Sequence, residues 1–307
     1  MADPASSAAA QLVKRYRSQR PLRGGSLLVT IFGDAIAPRG GAITLGSLIG
    51  LAAPFGLNER LVRTSMARLA DDGWLESRRH GRLSEYRLSR DGRERFNAAT
   101  QQIYGDPAQP WRGAWTLVLI RHGGRAARAA ARELLGWAGF GEPAPGVFAH
   151  PSLLASEVTR IVGRVPELRD AIVLATGESP ADSHRQLATL GWDLGELAAR
   201  YRRFVAQFRP VLSAIEQPRP CGAAAAFTVR TLLIHEYRRI HLRDPLLPAA
   251  LLPSGWVGAE AYGLCRAIYA RTAALAEAHL SRHALTLSGP LPAADVAWLA
   301  RFGGLPR

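Results

Sequence analysis

Between Ser26 and Leu88 the spacing of hydrophobic positions changes from helical to alternating, and the change outlines a small basic unit. In SLLVTIFGDAI, Leu27, Leu28, Ile31, Phe32 and Ile36 recur at helical intervals, and the breakers Pro38-Arg39-Gly40-Gly41 close that helix. Thr44 can accept a hydrogen bond from a free backbone N–H, so it predicts the start of a second helix carrying Leu45, Leu48, Ile49 and Leu51, which Pro54 and Gly56 end. Asn58 does the same for a third, NERLVRTSMARLADDG, closed by Gly73. The period then falls to two, and Trp74–Arg79 with Leu83–Leu88 predict a hairpin around Gly81. A helix near Asp91–Tyr104 follows, then a linker over Gly105–Pro110.

The third helix separates into two faces. Leu61, Val62, Ser65, Met66 and Leu69 form a stripe suited to packing on the first two helices, while Arg60, Arg63, Thr64, Ala67 and Arg68 fall on the other side. Guanidiniums and a hydroxyl on one exposed face suit a helix that reads guanine edges and grips phosphates in a major groove. A solvated helix supported by Glu59 and Arg63 four residues apart would look the same. The hairpin separates these readings. Its tip is Arg78-Arg79-His80-Gly81-Arg82, and from Ser77 to Arg90 the arginines 78, 79, 82, 87 and 90 face the single acid Glu85. So much positive charge at a turn has no role in folding, but it suits a phosphate backbone or a minor groove. A basic hairpin directly after a basic helix predicts a winged helix that binds DNA through Arg60, Arg63, Thr64, Arg68, Arg78, Arg79 and Arg82. Asn58 can serve as helix cap, as base contact, or as both.

Beyond the linker the pattern changes. Ala114–Arg121 reads as a buried strand, Arg125–Ala138 as an amphipathic helix, Gly146–His150 as a strand, Ser152–Val162 as a helix and Asp170–Thr176 as a strand. This alternation predicts a ferredoxin-like α+β domain over residues 111–180. From Ser183 the chain reads as helical, with helices over Trp192–Glu216, Ala224–Arg243 and Gly258–Ala284 and a short one near Ala293–Phe302. The expected fold class is therefore α+β multidomain. It consists of a disordered basic tail (1–20), an N-terminal winged helix-turn-helix (21–105), a ferredoxin-like middle domain (111–180) and a helical C-terminal domain (183–307) for effector binding or dimerisation.

Charge supports the DNA reading and narrows the others. The 307 residues carry a formal net charge of +14, which favours nucleic acid first, anionic metabolites such as acyl-CoA second and an acidic membrane third. Lys14 is the only lysine, so coding bias towards arginine accounts for part of the excess. The run from Lys14 to Arg23 is a solvated tail or a phosphate contact. Cys221 and Cys265 stand far apart, outside any metal-spaced motif, which fits a reducing compartment. No apolar run reaches membrane-spanning length and Met1–Arg20 does not read as a signal peptide, so a cytoplasmic protein without membrane contact is expected.

Catalytic and metal chemistry find little support. A metal-dependent nuclease in the middle domain needs a carboxylate near the end of its first strand, and that strand ends Ile120-Arg121-His122-Gly123. His235-Glu236 with His241 has the wrong spacing for a zinc helix, because the histidines stand six apart rather than four. Those groups are expected to be paired in a helical core. No nucleophile elbow, phosphate-cradling loop or dinucleotide fingerprint is present, so no catalytic residue, metal or cofactor is expected.

The stretch from SLLVTIFGDAIAPRGGAITLGSLIGLAAPFGLNERLVRTSMARLADDGWLES to RRHGRLSEYRLSRDGRERF resembles the PaaX family of transcriptional repressors. The likeness continues through WTLVL at 115–119, YRRFVAQFRPV at 201–211 and LLIHEYRRIHLRDPLLP at 232–248, and so covers nearly all of the chain after the tail. This resemblance implies a winged helix, a middle domain similar to a CRISPR-associated nuclease and a helical C-terminal domain. It also implies a homodimer that represses genes of phenylacetate catabolism and leaves its palindromic operator when phenylacetyl-CoA, or a related acyl-CoA, binds.

An acyl-CoA site needs cations for phosphates and an apolar wall for the acyl group. Between Arg200 and Arg243 the arginines 200, 202, 203, 209, 219, 230, 238, 239 and 243 outnumber the acids Glu216 and Glu236. Trp192, Tyr201, Arg202, Arg203, Tyr237, Arg238 and Arg239 are the candidate effector residues, against the alternative of an arginine-rich surface that simply packs. Two other functions compete with an effector-released repressor. One is a thioesterase-like CoA-ester enzyme with a basic appendage, the other an architectural DNA binder without effector.

Overall fold

The computed structural model describes residues 3–22, 24–106, 111–120, 124–177, 180–219 and 221–305, and the chain forms two units. The first unit comprises Met1–Asp106, Tyr201–Leu242 and Ala259–Arg307. It begins with a helix where the sequence predicts a disordered tail. α1 (Pro4–Ser18) is capped by the Asp3 carboxylate, which accepts from the Ala5 N–H at 3.0 Å. Ala5, Ala9, Leu12 and Tyr16 are buried at intervals of four and three, while Lys14, Arg15 and Arg17 stay exposed. Two of the four buried residues are alanines, so the stripe is too thin to stand out from an Ala/Ser-rich, basic composition.

α2 (Gly24–Ile31) continues through a π-turn over Phe32–Ile36 and a tight turn over Ala37–Arg39, until Gly40 at φ +81° turns the chain. Next come β1 (Ala42–Thr44), α3 (Leu45–Ala52), α4 (Glu59–Asp71), β2 (Leu75–His80), β3 (Leu83–Leu88) and α5 (Arg90–Tyr104). The three strands form an antiparallel sheet in the order β1-β3-β2. β1 has no alternating signature because all three of its residues are buried.

The second unit comprises Pro107–Arg200 and Arg243–Gly258. Pro107–Pro110 of the expected linker and Arg121–Gly123 at the end of the first expected strand lie outside the described residues. The unit contains β4 (Thr116–Leu119), α6 (Gly124–Trp137), β5 (Gly141–Ala144), β6 (Val147–His150), α7 (Ala155–Val162) and β7 (Ile172–Ala175), in the antiparallel order β5-β6-β4-β7. That order is the split βαβ arrangement of a ferredoxin-like unit. One face of the sheet buries Val118 and Phe148 against Ala127, Ala131, Leu135, Val158 and Val162 of α6 and α7. The opposite face presents Trp115 and Ala149, which need a cover of their own. α8 (Ala181–Gly191) supplies it with Ala188, together with Leu194, Leu247 and Leu251. The unit therefore runs past residue 180, where the sequence pattern places its end.

His150 fixes the loop after β6, because its Nδ1 accepts from the N–H groups of Ser152 at 3.0 Å and Leu153 at 2.9 Å. Burial pushes its pKa down from 6.5 to about 4. A folded pKa below the unfolded one means that this contribution to stability is complete above pH 6.5 and lost as the pH falls from there to about 4. His150→Asn keeps an acceptor and cannot titrate. Its melting temperature should therefore decline less across that window than that of the parent, and an equally steep decline would refute the role.

The chain rejoins the first unit in α9 (Leu194–Ile215), followed by α10 (Ala223–His241), α11 (Val257–His283), β8 (Leu285–Thr286), β9 (Gly289–Pro290) and α12 (Val296–Leu299). α10 is buried from Ala226 to His235 without a break, with Thr228, Arg230, Thr231 and His235 among its apolar residues. α1, α2 and α5 all pack on it. The N-terminal helices and the C-terminal helices consequently share one core rather than forming two separate domains. No helix among the described residues is long and apolar enough to cross a membrane.

Candidate nucleic-acid interface

The face of α4 turned away from the core is set by its cap and its apolar stripe. Asn58 accepts the Leu61 N–H at 2.8 Å, and Val62 and Met66 are fully buried. Asn58, Arg60, Arg63, Thr64 and Arg68 are all exposed. Arg63 pairs with Glu59 at 2.7 Å, Arg68 stands 3.9 Å from Asp72, and the Thr64 hydroxyl donates to the Arg60 carbonyl at 2.9 Å. Exposed pairs one helical turn apart are weak, so a phosphate can displace either acid. Arg60 has no ion pair among the described residues.

In the hairpin, Arg78 lies opposite Glu85, Arg79 opposite Ser84 and His80 opposite Leu83, with Gly81 at φ +58° in the tight turn. Successive strand residues face opposite ways, so Arg78 and Arg79 flank the ribbon while Arg82 sits at its tip. All three are exposed. Arg79 makes only a long contact to the Gly81 carbonyl, at 3.4 Å, and Arg78 and Arg82 have no ion pair among the described residues.

Glu85, the only acid in this basic stretch, is buried and accepts the Leu287 N–H at 2.8 Å, with the Arg87 guanidinium 3.4 Å away. Ser47 of α3 accepts the Leu285 N–H at 3.0 Å. The β8–β9 hairpin thus reaches both α3 and the middle of β3. The acid is turned into the fold in the middle of β3, while Arg78, Arg79 and Arg82 stay exposed around the turn.

Beneath these elements lies a buried ionic cluster that the sequence pattern does not predict. The Asp34 carboxylate accepts from the Tyr104 and Tyr269 hydroxyls, both at 2.8 Å, and from Arg301 at 3.0 Å. Arg230 Nε lies 3.0 Å from its other oxygen, as an ion pair rather than an aligned hydrogen bond. Arg230 also bonds Glu277 at 2.7 Å, and Glu277 pairs with Arg39. Burial would push the Asp34 carboxyl up, but Arg230, Arg301 and the two tyrosines outweigh it and hold the group below its ordinary value. The one signal for it in the sequence is a single acid inside the apolar helix IFGDAI.

The candidate effector residues are not gathered into one pocket. Trp192 is partly buried in the second unit, beside Trp115. Tyr201 and Tyr237 are core residues, with hydroxyls 3.0 and 3.2 Å from His241 Nδ1. His241 Nε2 lies 3.0 Å from the Gln102 carbonyl, and His235 Nδ1 3.0 Å from the Thr30 hydroxyl. Glu236 pairs with Arg239 at 3.2 Å and accepts from Gln19 at 3.1 Å. Arg238 binds α2 through Thr30 and Ser26, which leaves Arg202 and Arg203 as the exposed members of the set.

Three family descriptions match successive parts of the chain. These are PaaX-like protein over residues 23–92, PaaX protein central Cas2-like domain over 108–188 and PaaX-like protein C-terminal domain over 192–282. The transcriptional repressor PaaX of Escherichia coli strain K12 is 37% identical over 290 residues, covering 93% of this chain and 92% of that protein. Among solved structures, the uncharacterized protein Rv0674 from Mycobacterium tuberculosis is similar, at 26% identity, 75% of this chain, 89% of that one and a TM-score of 0.47.

Proposed function

Because the chain belongs to the PaaX family, we propose that it is a DNA-binding transcriptional repressor whose α4 and β2–β3 hairpin act as recognition helix and wing. One observation supports this most strongly: the exposed guanidiniums of Arg60, Arg78 and Arg82 have no carboxylate partner among the described residues, on two adjoining elements whose inner faces are packed. The order of helices, strand and hairpin supports reading this part as a winged helix-turn-helix. Arg60, Arg63, Thr64 and Arg68, with Asn58 at the helix start, read bases and adjacent phosphates in the major groove. Arg78, Arg79 and Arg82 hold the backbone or enter a minor groove.

The family resemblance further supports a cytoplasmic homodimer on a palindromic operator of phenylacetate catabolism genes, released by phenylacetyl-CoA or a related acyl-CoA. In this reading the Cas2-like unit is a connector, and no enzymatic step is assigned to it. Arg202 and Arg203 are the members of the effector set placed to meet phosphates from solution.

A gel-shift titration with the Arg78→Ala, Arg79→Ala, Arg82→Ala triple variant tests the wing. Every phosphate that the wing no longer neutralises should reduce the salt slope of log affinity by about 0.9, hence by up to about 2.7 for three. Wild-type affinity and slope in a folded variant would reject the wing as a DNA-binding element.

A further inference from the structure

The first unit holds a partly open cavity of about 100 Å³ where α2, α5 and α10 meet. Its wall is mainly apolar, with Val29, Phe96, Ile103, Ile234 and Leu242 among its residues. Trp74, at the foot of the hairpin, lines one side, with the Arg95 guanidinium stacked 5.1 Å over its ring. For comparison, an apolar cavity of about 150 Å³ holds a benzene molecule. A short branched alkyl group, smaller than a benzene ring, therefore suits this space, with the exposed Arg95 side chain at its edge.

The polar feature of the wall is Arg238. Its Nε donates to the Thr30 hydroxyl at 2.8 Å, and its Nη2 to the Ser26 carbonyl and hydroxyl at 2.7 and 2.8 Å. These acceptors are neutral, Nη1 makes no hydrogen bond among the described residues, and no carboxylate there pairs with the guanidinium. Asp34 also lines the cavity, but its charge is matched by Arg230 and Arg301. Cations held largely out of water are normally paired, and partial burial lowers this one to about 10. An apolar chamber with an unmatched cation in its wall is the complement of an amphiphilic anion.

We propose that this cavity binds a small carboxylic acid, its compact apolar body among Phe96, Ile103 and Ile234 and its carboxylate on Arg238. The chamber is too small for the nucleotide part of an acyl-CoA, and binding of a free acid here does not depend on DNA binding.

Thermal melting of the full chain with 3-methylbutanoate or 2-methylpropanoate, each against its amide, tests the proposal. At least one acid should raise the melting temperature, the rise setting in at millimolar concentration and growing with the logarithm of concentration above it, and its amide should not. Ala99→Leu, which fills the chamber and leaves Arg238 in place, should abolish the rise. Trp74 emission, isolated by subtracting the Trp74→Phe spectrum, should change over the same concentrations. No rise with either acid, equal rises with acid and amide, or a rise that survives in a folded Ala99→Leu variant would each overturn it. If Ala99→Leu fails to fold, the contrast between acid and amide in the parent protein decides.

Discussion

Asp34→Ala should lower the free energy of unfolding by about 3–5 kcal/mol, a large part of what a domain has. The carboxylate touches Tyr104, Tyr269, Arg230 and Arg301, and the guanidiniums of Arg230 and Arg301 are themselves buried. Deleting the acid leaves Arg301 in the core without a carboxylate and Arg230 with Glu277 alone. The effect should appear as a lower urea midpoint at unchanged slope. A buried ion pair can often be replaced whole at little cost, whereas removing one partner is expensive. Adding Arg301→Met to Asp34→Ala should therefore recover part of the stability, a result that a mere reduction in packed area does not give. The folded pKa of Asp34 is lowered, so its contribution is complete above the ordinary value of 3.8 and fades as the pH falls through the lower folded value. Asp34 belongs to the segment that continues α2, while Arg230, Tyr269 and Arg301 come from later helices and turns. Weakening the cluster should thus loosen the base on which α4 stands, and DNA affinity should fall with stability. A variant that melts with the parent would end this account.

What the sequence made legible was local. Thr44, Asn58 and Gly73 act within one turn of their own position, and the ends of α3 and α4 follow from them. The two faces of α4 were legible for the same reason, because helical geometry alone sorts Val62 and Met66 from Arg60 and Arg68. What escaped depends on partners far away in sequence. Glu85 counted as one acid among arginines, and only the Leu287 N–H, some two hundred residues on, makes it a buried anchor. Tyr201, Tyr237, Arg238 and Arg239 combine the aromatic and cationic character of a ligand site, yet tyrosines hydrogen-bonded to a core histidine have the same composition. Residue type could not separate a pocket from a polar core, because the difference lies in which neighbours fill the space. The cover over Trp115 and Ala149 was hidden likewise, since it comes from α8, Leu194 and a segment near residue 250.

Opposite shifts are expected from two substitutions at Tyr16, the largest side chain by which α1 meets the core. Tyr16→Ala removes a fully packed ring whose edge meets His235 at 5.6 Å, and should destabilise the chain by about 3–5 kcal/mol, as large aromatic truncations in cores do. Tyr16→Phe removes only the hydroxyl. That oxygen is buried without a hydrogen-bond partner among the described residues, and burial, with Glu236 nearby, raises its pKa to about 12. An orphaned polar atom costs about 1–3 kcal/mol, so the phenylalanine should melt above the parent. The pair of measurements separates two pictures of the N-terminus. In a solvated basic tail neither change would move the urea midpoint. In a helix docked on α10 they move it in opposite directions, and the alanine variant should also weaken the packing that holds α10 beneath α2. Coincident midpoints for all three proteins would return residues 4–18 to the tail that their composition suggests.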